Sequence, residues 1–262
     1  MKTSFTQKPS PEPAADPSTS TATAEAPASS SAVAVRESQA PALPTPPNHA
    51  QVEGEIDPSD LNMDRVNLVQ KSGNLGDNFE PGSFVLAKEV VLAKKGESFE
   101  FVVLKIKKSY QEDLPYDPSG NGEMPRRFNT AQEVREAGGS LKWGDPGYYR
   151  DFATALVLIP APEGITQDEK ESKFIYEDAE GKAYALALWN FVKTGYTAAA
   201  KKIFTAGMIG HLKGGYELGA WSCGSELKSA AGNSWYQPVL KPAGKTTPEF
   251  QAFAKEVLST LI

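Results

Sequence analysis

Ser98-Phe99-Glu100-Phe101-Val102-Val103-Leu104-Lys105-Ile106-Lys107-Lys108 is the stretch that decides the fold. Its apolar residues are mostly aromatic or β-branched, as strands prefer. Phe99, Phe101 and Val103 point one way, while Val102, Leu104 and Ile106 point the other. A strand with two apolar faces belongs at the centre of a sheet or in a closed barrel. Just upstream, Ser83 to Ala93 is a second β-like run. Lys94-Lys95-Gly96-Glu97 lies between the two and predicts a hairpin with a glycine-containing turn.

Downstream, Arg150 to Ile159 reads as a third strand, stopped by Pro160 and Pro162. Phe174 to Tyr176 and Ala183 to Phe191 read as a hairpin turning over Glu177 to Gly181. Tyr216 to Ser222 and Ser234 to Lys241 make two final strands around the turn Gly224 to Asn233. Tyr196 to Phe204 is Ala- and Lys-rich helix sequence set between strands. Thr247 caps a terminal helix with Pro248 at its first position and a stripe of Phe250, Phe253, Val257, Leu258 and Leu261. Leu114 to Gly147 is a long excursion holding a short helix, about Thr130 to Ala137, with Asn129 or Thr130 as its cap and Glu133 at the capping-box position. Connections of this length are usually functional or mobile. The fold expected is mainly β with added helices. It is an OB-like antiparallel barrel with one helix between strands and a C-terminal helix.

Residues 1–57 are of another kind. They are rich in Pro, Ala, Ser and Thr, and Phe5 is their only aromatic residue. Such a segment cannot bury enough apolar area to offset the entropy of ordering it. We therefore read 1–57 as a disordered tail and 58–262 as one β-rich binding domain. No run of about 18 apolar residues predicts a membrane helix. Lys2 is not followed by an apolar signal-peptide core. Cys223 is the single cysteine, which excludes an internal disulfide and a cysteine-based zinc site. These features predict a cytoplasmic protein with no membrane contact.

The net charge of −6 is unevenly spread. Residues 182–262 carry nine lysines against four glutamates, a net +5, and three of the four tryptophans. Catalytic signatures are missing: there is no phosphate loop, no dinucleotide fingerprint and no nucleophile elbow. His49 falls in the tail and His211 in a glycine-rich turn, where an exposed loop histidine is the plainer reading. Asp168 to Glu171 and Glu177 to Glu180 read as solvated turns rather than metal ligands. The expectation is a non-enzymatic protein without cofactor or metal.

What remains is aromatic and basic residues side by side. One group is Trp189, Phe191, Lys193, Tyr196, Lys201 and Lys202. A second is Trp221, Lys228, Trp235, Tyr236 and Lys241, and a third is Lys105, Lys107, Lys108 and Tyr110. Arg126 and Arg127 form a possible clamp in the excursion, although a solvated loop is the plainer reading. Single strands offer flat bases to stack and phosphates to pair, and this composition answers both needs. Trp235 and Tyr236 are adjacent in a strand, so only one of them can face a ligand. The competing reading puts the aromatics in the core.

Asn67-Leu68-Val69-Gln70, then Glu80-Pro81-Gly82-Ser83-Phe84, the Thr194 to Lys202 helix and the Ser234-Trp235-Tyr236-Gln237-Pro238 strand resemble a group of phage-encoded proteins. Some of these are similar to OB-fold single-stranded DNA-binding proteins of phage replication and recombination. The resemblance spans about Leu61 to Leu261 and is one of layout and short phrases. It implies single-stranded DNA as ligand and replication or recombination proteins as partners. Lys255 to Ile262 reads as a packed helix, so recruitment of partners through the acidic C-terminal tip of many such binders is not expected. The alternatives are a β-sandwich structural or protein-interaction module of a phage or bacterium, and an enzyme with a carboxylate-based site.

Overall fold

A computed structural model describes residues 63–114 and 124–261, so the reading of residues 1–57 lies outside the described residues. The described chain is mostly strand. In order it runs β1 (Arg65–Leu68), β2 (Phe84–Leu86), β3 (Val90–Ala93), β4 (Ser98–Glu112), β5 (Arg127–Phe128), α1 (Ala131–Glu136), β6 (Tyr149–Pro160), α2 (Gln167–Lys173), β7 (Tyr176–Glu177) and β8 (Ala183–Val192). Next comes a continuous helical rod of α3 (Lys193–Gly195), a π-helical turn (Tyr196–Ala200) and α4 (Lys201–Met208). The chain ends with β9 (Gly219–Ala230), β10 (Asn233–Lys245) and α5 (Pro248–Ser259). No helix among the described residues is long and apolar enough to cross a membrane.

One curled sheet holds the main strands in the order β10-β9-β4-β6-β8-β1-β2-β3. All pairings along it are antiparallel except β1 with β8. The rod joins the third and fourth of the five long strands, as the OB-like reading expects. Gln70, just past β1, ties the sheet toward its far edge. Its side-chain amide donates to the Tyr236 carbonyl of β10 at 2.9 Å, and its Oε1 accepts from the Tyr236 amide at 2.8 Å. The Tyr236 ring lies against Gly82, where a Cβ would fall 2.7 Å from it and φ is +98°. Only glycine fits both conditions.

Both apolar faces of β4 find cover. The inner face packs Phe99, Phe101, Val103, Trp189, Phe191 and Trp221 against β2, β3 and the rod. On the outer face, Leu104, Leu156, Leu158, Tyr184, Leu186 and Leu188 pack under α5, with Phe250, Phe253 and Val257. Thr247 caps α5 by accepting from the Phe250 amide, and Pro248 opens it.

Three local readings need correction. The hairpin predicted between Ser83–Ala93 and Ser98–Lys108 is instead made within the first run, where β2 pairs with β3. Its turn puts Ala87 at φ 55° and Lys88 at φ 64°. Both are left-handed positions normally held by Asn or Gly, so no residue type announced the turn. The final strands are also longer than expected. β9 and β10 stay paired from Gly219↔Lys245 to Ala230↔Asn233, leaving only Ala231 and Gly232 to turn. Finally, Asp168 to Glu171 belongs to α2, whose Thr166 and Glu169 form a full capping box.

Candidate nucleic-acid interface

The site starts with a defect in β4. Its register against β6 runs Val103↔Val157 and then Lys105↔Leu156, so Leu104 is an extra residue. A bulge of this kind inverts the alternation beyond it. Ile106 consequently turns inward with Phe99, Phe101 and Val103, contrary to the simple alternation. Lys105 and Lys107 turn outward, opposite Leu156 and Thr154.

The outer face continues across the sheet from these lysines. Thr154 lies beside Asn190 of β8, and the two side chains share a 3.0 Å hydrogen bond. Arg65 of β1 stands beside Leu188 on the same face. Arg127 of β5 reaches over the Phe152 ring, its guanidinium carbon 4.2 Å from the centroid. Burial, and then the nearby charge of Arg65, pulls Arg127 below its ordinary pKa. Arginine stays charged regardless. Lys105, Lys107, Arg127 and Arg65 thus share one face. No Asp or Glu occupies the outward positions of β4, β5, β6, β8 or β1 among these registered pairs.

Two clefts adjoin this face and meet at Lys193 and Thr194. One, of about 640 Å³, is lined by Arg65, Asn67, Asn190, Lys193 and Trp235. The other, of about 630 Å³, is lined by Trp143, Tyr148, Arg150, Lys193 and Gln237. Lys193 holds a left-handed backbone, φ 51°. That geometry is uncommon for a side chain without special cause. Burial lowers the Lys193 pKa, and the charge of Arg150 lowers it further. The Nε of Arg150 and the Nε1 of Trp235 are buried without a hydrogen-bond partner among the described residues. Such donors are costly to leave unmade. Among the described residues no three His, Cys, Asp or Glu side chains converge to hold a metal.

The structure divides the sequence-predicted residues. Lys105, Lys107, Arg127, Lys193 and Trp235 fall on the outer face or its clefts. Trp189 and Trp221, each 3% exposed, are sealed in the core. So are Phe191 and Tyr196. The Trp189 ring meets Phe101 at 5.2 Å and Phe191 at 4.7 Å between centroids, and a ring so covered has no face left for a base. Inward parity on β8 and β9 dictates the burial of Trp189, Phe191 and Trp221, while Tyr196 is buried in the rod that covers them. Lys201 and Lys202 ride on the rod that covers the inner face, Lys202 donating to the Leu240 carbonyl at 3.3 Å. Tyr110 sits on the opposite face from Lys107, beside Lys108, which bridges to Asp151 at 2.8 Å. Lys241 borders a separate cleft together with Glu97 and Glu226. Arg126 is held by Glu112 through Nε at 3.0 Å and Nη2 at 2.9 Å, so it pins β5 rather than clamping a ligand.

Arg65, Arg150, Asn190 and Trp143 were not among the predicted residues. Trp143 is 81% exposed and is the one tryptophan outside the basic segment. The length of the excursion that carries it was the available signal. Comparison with family models, with curated proteins and with solved structures returns no match.

Proposed function

We propose that this protein binds single-stranded DNA, without sequence preference, along the basic outer face of β4, β6, β8 and β1. One observation carries the reading: the bulge at Leu104 turns Lys105 and Lys107 to the same face of the sheet as Arg127 and Arg65. OB-like barrels use the face of their second and third strands with the flanking loops for oligonucleotides. Here those strands are β6 and β8, flanked by residues 124–148 and the β9–β10 hairpin. Phosphates would pair with the four cations, while bases reach the two clefts. The layout resemblance supports a setting in phage-type replication or recombination, with proteins of those processes as partners and the host cytoplasm as location.

Burial of Trp189 and Trp221 favours a second reading, a structural or protein-interaction module in which the aromatics serve the core. Anisotropy of a labelled oligo-dT at low salt separates the two. Binding that weakens steeply as salt rises supports the first. No binding at low salt, or binding indifferent to salt, refutes it.

A further inference from the structure

The cleft between residues 143–150 and the start of the rod has the parts of a one-nucleotide subsite. Trp143 stands at its rim with 81% of its surface exposed, and half-buried Tyr148 lines the same space. An indole left this open forgoes the free energy that covering a large ring provides. On the same lining, Arg150 and Lys193 bring two cations close enough to oppose each other's charge. Asp113 pairs with Arg150, and Lys193 has no carboxylate partner among the described residues. The Arg150 Nε is buried and unsatisfied. The Gln237 amide and the Thr194 and Thr197 hydroxyls complete the polar lining.

A flat apolar ring beside Lys193 and the Asp113-paired Arg150 suits a ligand with a flat face and an anionic group. A peptide carboxylate would use the cations and leave the indole idle. The geometry points to a subsite for one nucleotide of the bound strand, its base stacked on Trp143 and its phosphate held by Lys193 and Arg150. This inference rests on the single-stranded DNA reading above and deepens it: it names where a base stacks, which the basic outer face does not.

The test uses the full chain, oligo-dT and an abasic oligonucleotide of equal length. Trp189 and Trp221 are sealed, so intrinsic fluorescence quenched by oligo-dT should come from Trp143 and from Trp235 of the adjoining cleft. Measured in a Trp235→Phe background, Trp143→Phe should abolish most of that quenching. Trp143→Ala should weaken oligo-dT binding roughly 5- to 100-fold, as loss of one stacked base does, and leave abasic binding unchanged. Lys193→Gly keeps a residue suited to φ 51° and removes the charge, so it should weaken both oligonucleotides alike without loss of fold. If wild type binds neither oligonucleotide, the outer-face reading fails and the subsite falls with it. If wild type binds oligo-dT but Trp143→Ala binds equally well and Trp143→Phe in the Trp235→Phe background is still quenched, the subsite alone is overturned.

Discussion

Replacing Lys105 and Lys107 together by alanine tests the bulge argument directly. Each lysine that neutralises a phosphate releases counterions, and for single strands the slope of log K against log salt is about −0.7 per contact. Losing two contacts should therefore flatten the slope by about 1.4. At 0.1 M salt, relative to 1 M, that amounts to roughly 25-fold, or about 2 kcal/mol. The control is Lys201→Ala with Lys202→Ala, which removes the same charge from the rod covering the inner face. Anisotropy titrations of oligo-dT from about 50 to 400 mM salt give all three slopes. The rod variant should keep nearly the wild-type slope. Equal flattening in both variants would mean that net charge, not placement, sets affinity. No flattening in the Lys105/Lys107 variant would remove β4 from the interface. Either result refutes the reasoning.

Other consequences concern the scaffold. Trp189→Ala, which removes an indole packed among Phe84, Phe99, Phe101 and Phe191, should cost about 3–5 kcal/mol in denaturant unfolding. Where the variant remains folded, its oligo-dT affinity should equal wild type. The Cys223 thiol is buried and pushed well above its ordinary pKa by that burial, so it should resist alkylation at pH 8 until the chain unfolds, as labelling read by mass spectrometry would show. Hydrogen bonds from Arg126 hold the Glu112 carboxyl below its ordinary value of 4.5. The stability this contributes is present at neutral pH and is lost as pH falls through the depressed value. Glu112→Gln should accordingly reduce the acid-side slope of stability in pH-dependent thermal melts.

Much of the fold was legible because burial writes a pattern. Two apolar faces on β4 required cover on both sides, and the inner rod and α5 supply it. The Thr247-Pro248 start and the apolar stripe of α5 were local signals that tertiary context left intact. The Thr130 cap of α1 was another. The proposed interface was harder to read because the placement of its residues depends on parity, and parity depends on an irregularity with no residue signature. Leu104 is an ordinary strand residue, yet its bulge decides which way Lys105 and Lys107 face. Without it these lysines would lie on the inner side with Phe101 and Val103. The tryptophans misled for a related reason. An indole beside lysines in sequence lies beside them in space only when both share a face. Trp189 and Phe191 alternate with outward Asn190, so their neighbours in the chain are not their neighbours in the fold.

The outer face also shows why an apolar strand and a charged interface coexist in one sheet. Leu156, Leu158, Leu186 and Leu188 would be an exposed apolar patch on an uncovered barrel, prone to association. α5 covers that half through Phe250, Phe253 and Val257, and beyond Leu104 the outward positions of β4 are Lys105, Lys107, Ser109 and Gln111. The bulge marks the division, since residues before it serve packing and those after it present cations. Variants at Lys105, Lys107, Arg127 or Arg65 should therefore alter binding and spare stability, whereas variants beneath α5 should do the reverse. Were a substitution under α5, such as Leu158→Ala, to shift oligo-dT affinity as strongly as it shifts the unfolding midpoint, the two halves would be energetically coupled and that separation would be wrong.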